Sequence, residues 1–474
     1  MRWAVLSCDG LPVSGLLTVL RNVLELGFRE NLIEPPVPAD LGFCWRPDKW
    51  EFFPCGGRSG RSGGSSGQYP DWLNVSDWAP AEWSREELAS LLTRARDDVA
   101  RLAELSPAEY AELRALIEEL AVPYERHFED WLDEHDPDWV CAINMTLSDA
   151  VPATLALHRA TRRRWERGRA GGVLFWDHDL FASCSVHENG VRVYPPAPNS
   201  LTPLPGSGPG HRWVVATDGL AAEAQGYPGG PKPQVLPNLL PELEPGPLSR
   251  RHHEFLAAHG IGADRPVLLA PVRVWRPKGA DIAVSLLAQV RAHALRTSEP
   301  PPCLLIFGSL AEDPEFAIDL DRHARRLEVW PDVRWLDGVP LASCRDDAGR
   351  WHLDEADLLK LAAATGGAVL FTPSQPDIDT VGLGPALSAV AGVPCAVTPF
   401  DCFAEVYGEQ FARIDVEPTR PGLEAAGAAL HAAMRACRRG DRAAVAQMAG
   451  NARIVAERFG SAGWRDLLTS MAAR

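Results

Sequence analysis

Two stretches of this chain concentrate residues able to capture an anion and act on what it carries. Residues 371–405 leave Thr372-Pro373-Ser374, carry the carboxylates Asp377 and Asp379, and close on Gly382-Leu383-Gly384 ahead of Pro385. Pro385 suits the first turn of a helix, where its missing N–H costs nothing. The unpaired N–H groups and the dipole at such a helix start favour a phosphate. Upstream, Arg273-Val-Trp-Arg276-Pro-Lys278-Gly279 puts cations on a second loop. Arg can make forked bonds to phosphate oxygens and Lys acts as a point charge, so the pair suits a diphosphate. The chemistry implied is capture of a diphosphate with a carboxylate beside it.

The elements around these loops alternate in the way a parallel sheet requires. Residues 368–371 form an apolar run bounded by turn residues, which predicts a buried strand. A helix over 385–391 stops at Gly392, and 394–397 supplies the next strand. Residues 267–271 predict the strand that leads into the Arg273 loop, followed by a helix over 281–294. A strand at 303–307 ends at Gly308, a helix spans 312–327, and 333–336 is a strand. Asp354 caps a helix to 364, and helices follow at 421–437 and 441–458.

The first half repeats the theme. A strand at 2–7 meets a loop containing Gly10 and Gly15, and apolar residues then recur at helical spacing over 16–26. That loop lacks G-x-G-x-x-G, so it does not carry the dinucleotide fingerprint. Further strands are predicted at 138–143, 172–175 and 213–216. Residues 40–80 read as irregular and aromatic, and 56–67 is nearly pure Gly, Ser and Arg, an acceptor lid or a disordered insertion. Ser84 with Glu87 and Ser106 with Glu109 are capping boxes that announce a helical hairpin over 85–134.

Size and composition set bounds. A chain of 474 residues exceeds one core, so two α/β domains are expected, each a doubly wound Rossmann-like sheet. The division expected is 1–240 and 241–455, with Pro241, Pro245 and Pro247 as hinge, and the family resemblance given below implies that the two face one another across a cleft and that a final helix, 456–474, returns to the first domain. A formal charge of −16 argues against nucleic acid as partner. The ten cysteines include no C-x-x-C pair, which points to a reduced, cytoplasmic protein without a zinc site. Residues 380–400 lack charge, but three prolines and three glycines interrupt them, so no transmembrane segment is expected.

The order of residues resembles the nucleotide-sugar half of the retaining family 4 glycosyltransferases, which have the GT-B fold. Asp379 stands at that family's first acid, Gly382 at its glycine, Gly392-Val393-Pro394 at its helix end, and Glu405 at its later Glu. Arg273 and Lys278 keep the spacing of its Arg and Lys-Gly. The loop 336–340, with Val339, lies where the family stacks its base, and Gly308 ends the strand before it. On the acceptor side, His178-Asp179 matches a His-Asp pair, and Gly10 and Gly15 frame the loop near phosphate or acceptor. Two positions depart: Leu387 replaces the second Glu, which holds the ribose, and Asn144 lies where the family often places a histidine.

The resemblance implies a retaining, metal-independent glycosyltransferase of bacterial type, with a nucleoside diphosphate sugar as co-substrate and no other cofactor. Arg273, Lys278 and the N–H groups near Leu383 and Gly384 would frame the leaving diphosphate, and Asp379 would hold sugar hydroxyls. Asp177-x-Asp179 also matches the metal-binding pattern of the other sugar-transfer fold, GT-A, an assignment the C-terminal organisation opposes. Rival readings are another reaction on a nucleotide sugar, such as transfer to a sulfur acceptor or epimerisation, and a protein that binds nucleotide sugar without turnover. Base, sugar, acceptor and oligomeric state are not encoded in any motif of the chain.

Overall fold

The computed structural model describes residues 1–8, 15–42, 46, 69–169, 171–183, 187–188, 191–192, 194–208 and 210–473. Gly10, most of the loop it belongs to, and the Gly/Ser/Arg stretch 56–67 lie outside the described residues.

The first sheet has seven strands. β1 (Trp3–Ser7), β2 (Val37–Asp40), β3 (Leu73–Val75), β4 (Trp139–Ile143) and β5 (Gly172–Asp177) are followed by a short hairpin of β6 (His187–Glu188) and β7 (Val191–Arg192). β8 (His211–Val215) and β9 (Gln234–Val235) complete it, in the order β3-β2-β1-β4-β5-β8-β9. Every pairing in this sheet is parallel, for example Val5 with both Ala39 and Cys141. The crossovers carry α1 (Gly15–Arg29), α2 (Arg85–Ala100), α3 (Pro107–His135), α4 (Val151–Glu166) and α5 (Asp218–Ala224). At α2 and α3, Ser84 and Ser106 accept from the N–H three residues on, and Glu87 and Glu109 return the bond.

After α6 (Arg250–Ala258) the second sheet begins. Its strands are β10 (Val267–Ala270), β11 (Cys303–Ile306), β12 (Val333–Trp335), β15 (Ala368–Phe371), β16 (Cys395–Val397) and β17 (Ile414–Asp415). Their order is β12-β11-β10-β15-β16-β17, again all parallel. A separate hairpin, β13 (Cys344–Arg345) and β14 (Trp351–His352), precedes α9 (Glu355–Thr365). The other helices are α7 (Ala280–Arg296), α8 (Pro314–Arg326), α10 (Gly384–Ala391), α11 (Phe403–Tyr407), α12 (Arg420–Arg438), α13 (Arg442–Arg458) and α14 (Ala462–Ala472).

Strand alternation divides the interior. Trp3 and Val5 join one apolar cluster, with Trp139 and Cys141 from β4 and Trp464 and Leu468 from α14. Ala4 and Leu6 point the other way, into a larger cluster that runs on to Leu268 and Ala270 of the second sheet. Val267 and Leu269 face a third cluster beneath α9 and α10. This is the period-two pattern of strands covered on both faces. Leu383, at the start of α10, touches all three clusters.

One strand, β3, falls within the stretch 40–80 that the sequence reads as irregular, and another, β2, ends at its start. β2 contains Pro38, normally a mark against a strand, and β3 is only three residues long. Neither carries a run long enough to announce itself.

Candidate functional site

The Arg273 loop is shaped by two glycines. A Cβ on Gly308 would lie 2.4 Å from the Val274 nitrogen and 2.8 Å from the Arg273 Cα, so the loop after β10 presses against a bare backbone. Gly279 has φ +66°, and a Cβ there would meet the Thr372 carbonyl oxygen. Thr372 Oγ1 donates to the Gly279 carbonyl at 3.0 Å, and the Ser374 N–H donates to the Pro277 carbonyl at 2.9 Å. These contacts lock the cationic loop onto the tip of β15.

The lock brings the two sequence motifs together. Lys278 Nζ donates to Asp379 Oδ1 at 2.6 Å, with both side chains more than four-fifths buried (16% and 19% exposed). Asp379 Oδ2 is buried and makes no hydrogen bond among the described residues. Arg273 Nε donates to Glu312 Oε1 at 2.5 Å, and its guanidinium lies over the Trp275 ring at 5.4 Å. Burial pushes the Glu312 carboxyl up from its ordinary range, against the pull of Arg273 and then of Lys278.

The start of α10 closes the same site. Gly382 adopts φ +64°, with the rings of Phe400 and Phe371 within 3.0 Å of where its Cβ would be. The Gly384 Cβ position is 2.5 Å from that of Phe371. The Tyr407 hydroxyl donates to the Gly382 carbonyl at 2.6 Å and fixes the turn. The N–H groups of Leu383 and Gly384 have no hydrogen-bond partner among the described residues. Donors of this kind at a helix start suit an anion.

Leu387 lies one turn further along α10. It is 2% exposed, in the third cluster with Leu336, Val339 and Val369. Val339 of the 336–340 loop is likewise buried there, 8% exposed.

On the first sheet, His178 and Asn144 sit at the tips of adjacent strands and are both buried. Asn144 has φ +52°, a conformation Asn tolerates, and its Oδ1 accepts from the His178 N–H at 2.8 Å. His178 Nε2 contacts Asn238 Oδ1 at 2.9 Å. Thr380, next to Asp379, donates to the His178 carbonyl at 2.6 Å, so the acid loop bridges the two sheets. Gly15 opens α1 with no heavy atom near its Cβ position.

Two further carboxylates take donors from the first half of the chain. Asp177 is fully buried, accepts from Trp213 Nε1 at 2.8 Å, and is pushed up to about 7 by burial. Glu405 accepts from the Gly219 N–H at 2.9 Å, another bridge between the halves of the chain. Among the described residues no cluster of three potential metal-ligating side chains is present. Among the described residues no helix is long and apolar enough to cross a membrane.

Sequence reasoning missed Glu312, Thr380 and Arg21. Arg21, on α1, donates to the Leu341 carbonyl of the second half at 3.0 Å. None belongs to a local motif; Gly308, four residues ahead of Glu312, is the nearest signal.

No family model matches the chain, and no curated protein does. Solved structures do match over the whole length. A glycosyltransferase from Rickettsia africae ESF-5 superposes with TM-score 0.55 at 11% identity, covering 100% of this chain and 98% of that one. Sucrose-phosphate synthase from Thermosynechococcus elongatus matches with TM-score 0.57 at 11% identity, over 100% and 98% of the two chains. HepE of Anabaena, solved in complex with UDP and glucose, matches with TM-score 0.54 at 14% identity, over 100% and 99%. With two parallel α/β sheets and full-length superposition on such proteins, the chain has the GT-B fold.

Proposed function

We propose that this protein is a glycosyltransferase that moves a sugar from a nucleoside diphosphate donor to a small-molecule or glycan acceptor. The observation that supports the reading is the Lys278–Asp379 ion pair, which joins the loop that carries Arg273 to the loop that leads to the bare N–H groups of Leu383 and Gly384, in a chain of the GT-B fold. That HepE was solved with UDP-glucose supports a donor of this class.

As the bond between the anomeric carbon and the diphosphate breaks, negative charge grows on the leaving oxygen. Arg273, Lys278 and the start of α10 are placed to stabilise it, commonly the largest catalytic contribution. The acceptor oxygen forms the new bond to the anomeric carbon and gives its proton to the departing phosphate. Asp379, through Oδ2, would accept from a sugar hydroxyl. We further propose the retaining, family 4 course, with attack from the face the diphosphate leaves. No metal is assigned a part; the positive charge facing the diphosphate would be that of Arg273 and Lys278. His178 and Asn144, at the opposite wall, would orient the acceptor through the backbone they hold.

Thermal-shift titration with UDP, GDP, ADP and dTDP, followed by assay of donor hydrolysis, tests this reading. Stabilisation by one nucleotide together with release of that nucleoside diphosphate from its sugar is the expected result. Binding without release would instead favour a nucleotide-sugar-binding protein, a reading to which the buried Leu387 at the ribose position lends some weight.

A further inference from the structure

Arg273 is gripped by a residue outside every anion-binding motif of the chain. Glu312 lies between β11 and α8 with its side chain 0% exposed, and Oε1 takes Arg273 Nε at 2.5 Å. Its other oxygen, Oε2, is buried and makes no hydrogen bond among the described residues. The segment that carries it is held firmly: the Ala311 N–H donates to Ser309 Oγ at 3.1 Å, and Asp313 caps α8. The charges that face Glu312 are Arg273 and Lys278 from the loop after β10 and Asp313 beside it. Lys278 is itself paired with Asp379.

Two carboxylates thus offset two cations at the place where a diphosphate would bind. A bare anion arriving there gains Arg273 and Lys278 but meets Glu312 across the guanidinium. At ~6 Å and an effective dielectric of ~20, each arriving negative charge favours the protonated carboxyl by about 100-fold. Burial already raises the Glu312 carboxyl, so it is the acid in the site most readily neutralised.

We propose that Glu312 is a positioning residue that fixes the Arg273 guanidinium for a diphosphate and takes up one proton when that anion binds. This rests on the nucleoside diphosphate reading of the site. The proton comes from solvent, converts the carboxylate to a carboxylic acid, and returns to solvent when the nucleotide leaves. Protonation removes the Glu312 charge that the arriving anion would otherwise meet, and the acid supplies a donor at Oε2, which makes no hydrogen bond among the described residues.

Calorimetric titration of UDP, then GDP and ADP, into the full chain at about pH 7.5 counts the protons when run in buffers of different ionisation heat; a terminal phosphate is by then largely ionised. For the nucleotide that binds, the wild type takes up a substantial fraction of a proton. Its affinity falls as pH rises, by up to about tenfold per unit. Glu312→Gln, which keeps an acceptor for Arg273, binds with no uptake and a flat pH profile. A purely structural Glu312 would lower the melting temperature of the variant without changing the proton count. Nucleotide binding by the wild type with no uptake, or equal uptake in Glu312→Gln, overturns the proposal and leaves the site reading standing. Failure of the wild type to bind any of the three, or dTDP, overturns both.

Discussion

Leu387 is where the chain departs from the pattern it otherwise resembles, and Leu387→Glu asks what the departure means. If the ribose merely lacked its usual ligand, the new carboxylate would restore charge-assisted bonds and tighten nucleotide binding. The structure predicts otherwise. Leu387 is 2% exposed and belongs to an apolar cluster with Leu336, Val339 and Val369. Removing the leucine forfeits roughly 2 kcal/mol of apolar burial, and an unpaired buried carboxylate adds a cost of about 3 kcal/mol or more. A loss of about 5 kcal/mol corresponds to a fall of roughly 10–20 °C in melting temperature for a domain of this size. Scanning calorimetry of both proteins, with nucleotide titrations beside it, measures the two quantities. An unchanged melting temperature with tighter nucleotide binding would refute this reasoning and place the ribose against α10.

Three further outcomes are expected. Arg273→Ala and Lys278→Ala each lower turnover by ~100-fold or more, as for a lost charge contact on the leaving group, with circular dichroism unchanged; near-normal rates in both would remove the diphosphate clamp. Activity persists in EDTA, since in this reading Arg273 and Lys278, and not a metal, face the diphosphate; loss on chelation that Mg²⁺ or Mn²⁺ restores would move attention to Asp177 and Asp179. Asp177 is raised to about 7 by burial, so the folded state holds a proton that the unfolded chain releases above ~4, and its stability falls between those values as pH rises. Asp177→Asn therefore gains melting temperature relative to wild type at about pH 8 and loses the gain towards pH ~4; a difference independent of pH would contradict the burial account.

The parts of this molecule that were legible in sequence are those set by local rules. Parallel strands such as β10 and β15 are continuous apolar runs ended by turn residues, so they announce both themselves and the α/β class. The bonds of the two capping boxes span three residues and can be read from spacing alone. Arg273, Lys278 and Asp379 could be singled out because each lies on a loop between recognisable elements. What spacing could not supply is the direction of each side chain once distant segments meet. Lys278 reaches an acid 101 residues away, and Glu405 reaches the backbone of Gly219, 186 residues before it.

The same limit explains why Glu312 escaped notice. Its carboxylate matters only because a bare Gly308 lets the Arg273 backbone approach, and because Asp313 fixes the segment at the start of α8. Neither condition leaves a periodic trace in the chain. Asn144 makes the complementary point. Read as the absence of a histidine, it is in the structure a left-handed turn residue whose Oδ1 receives the His178 N–H. Through His178 it also shapes the carbonyl that Thr380 grips from the other sheet, next to Asp379. A substitution at Asn144 therefore acts on the acid loop through two hydrogen bonds in series.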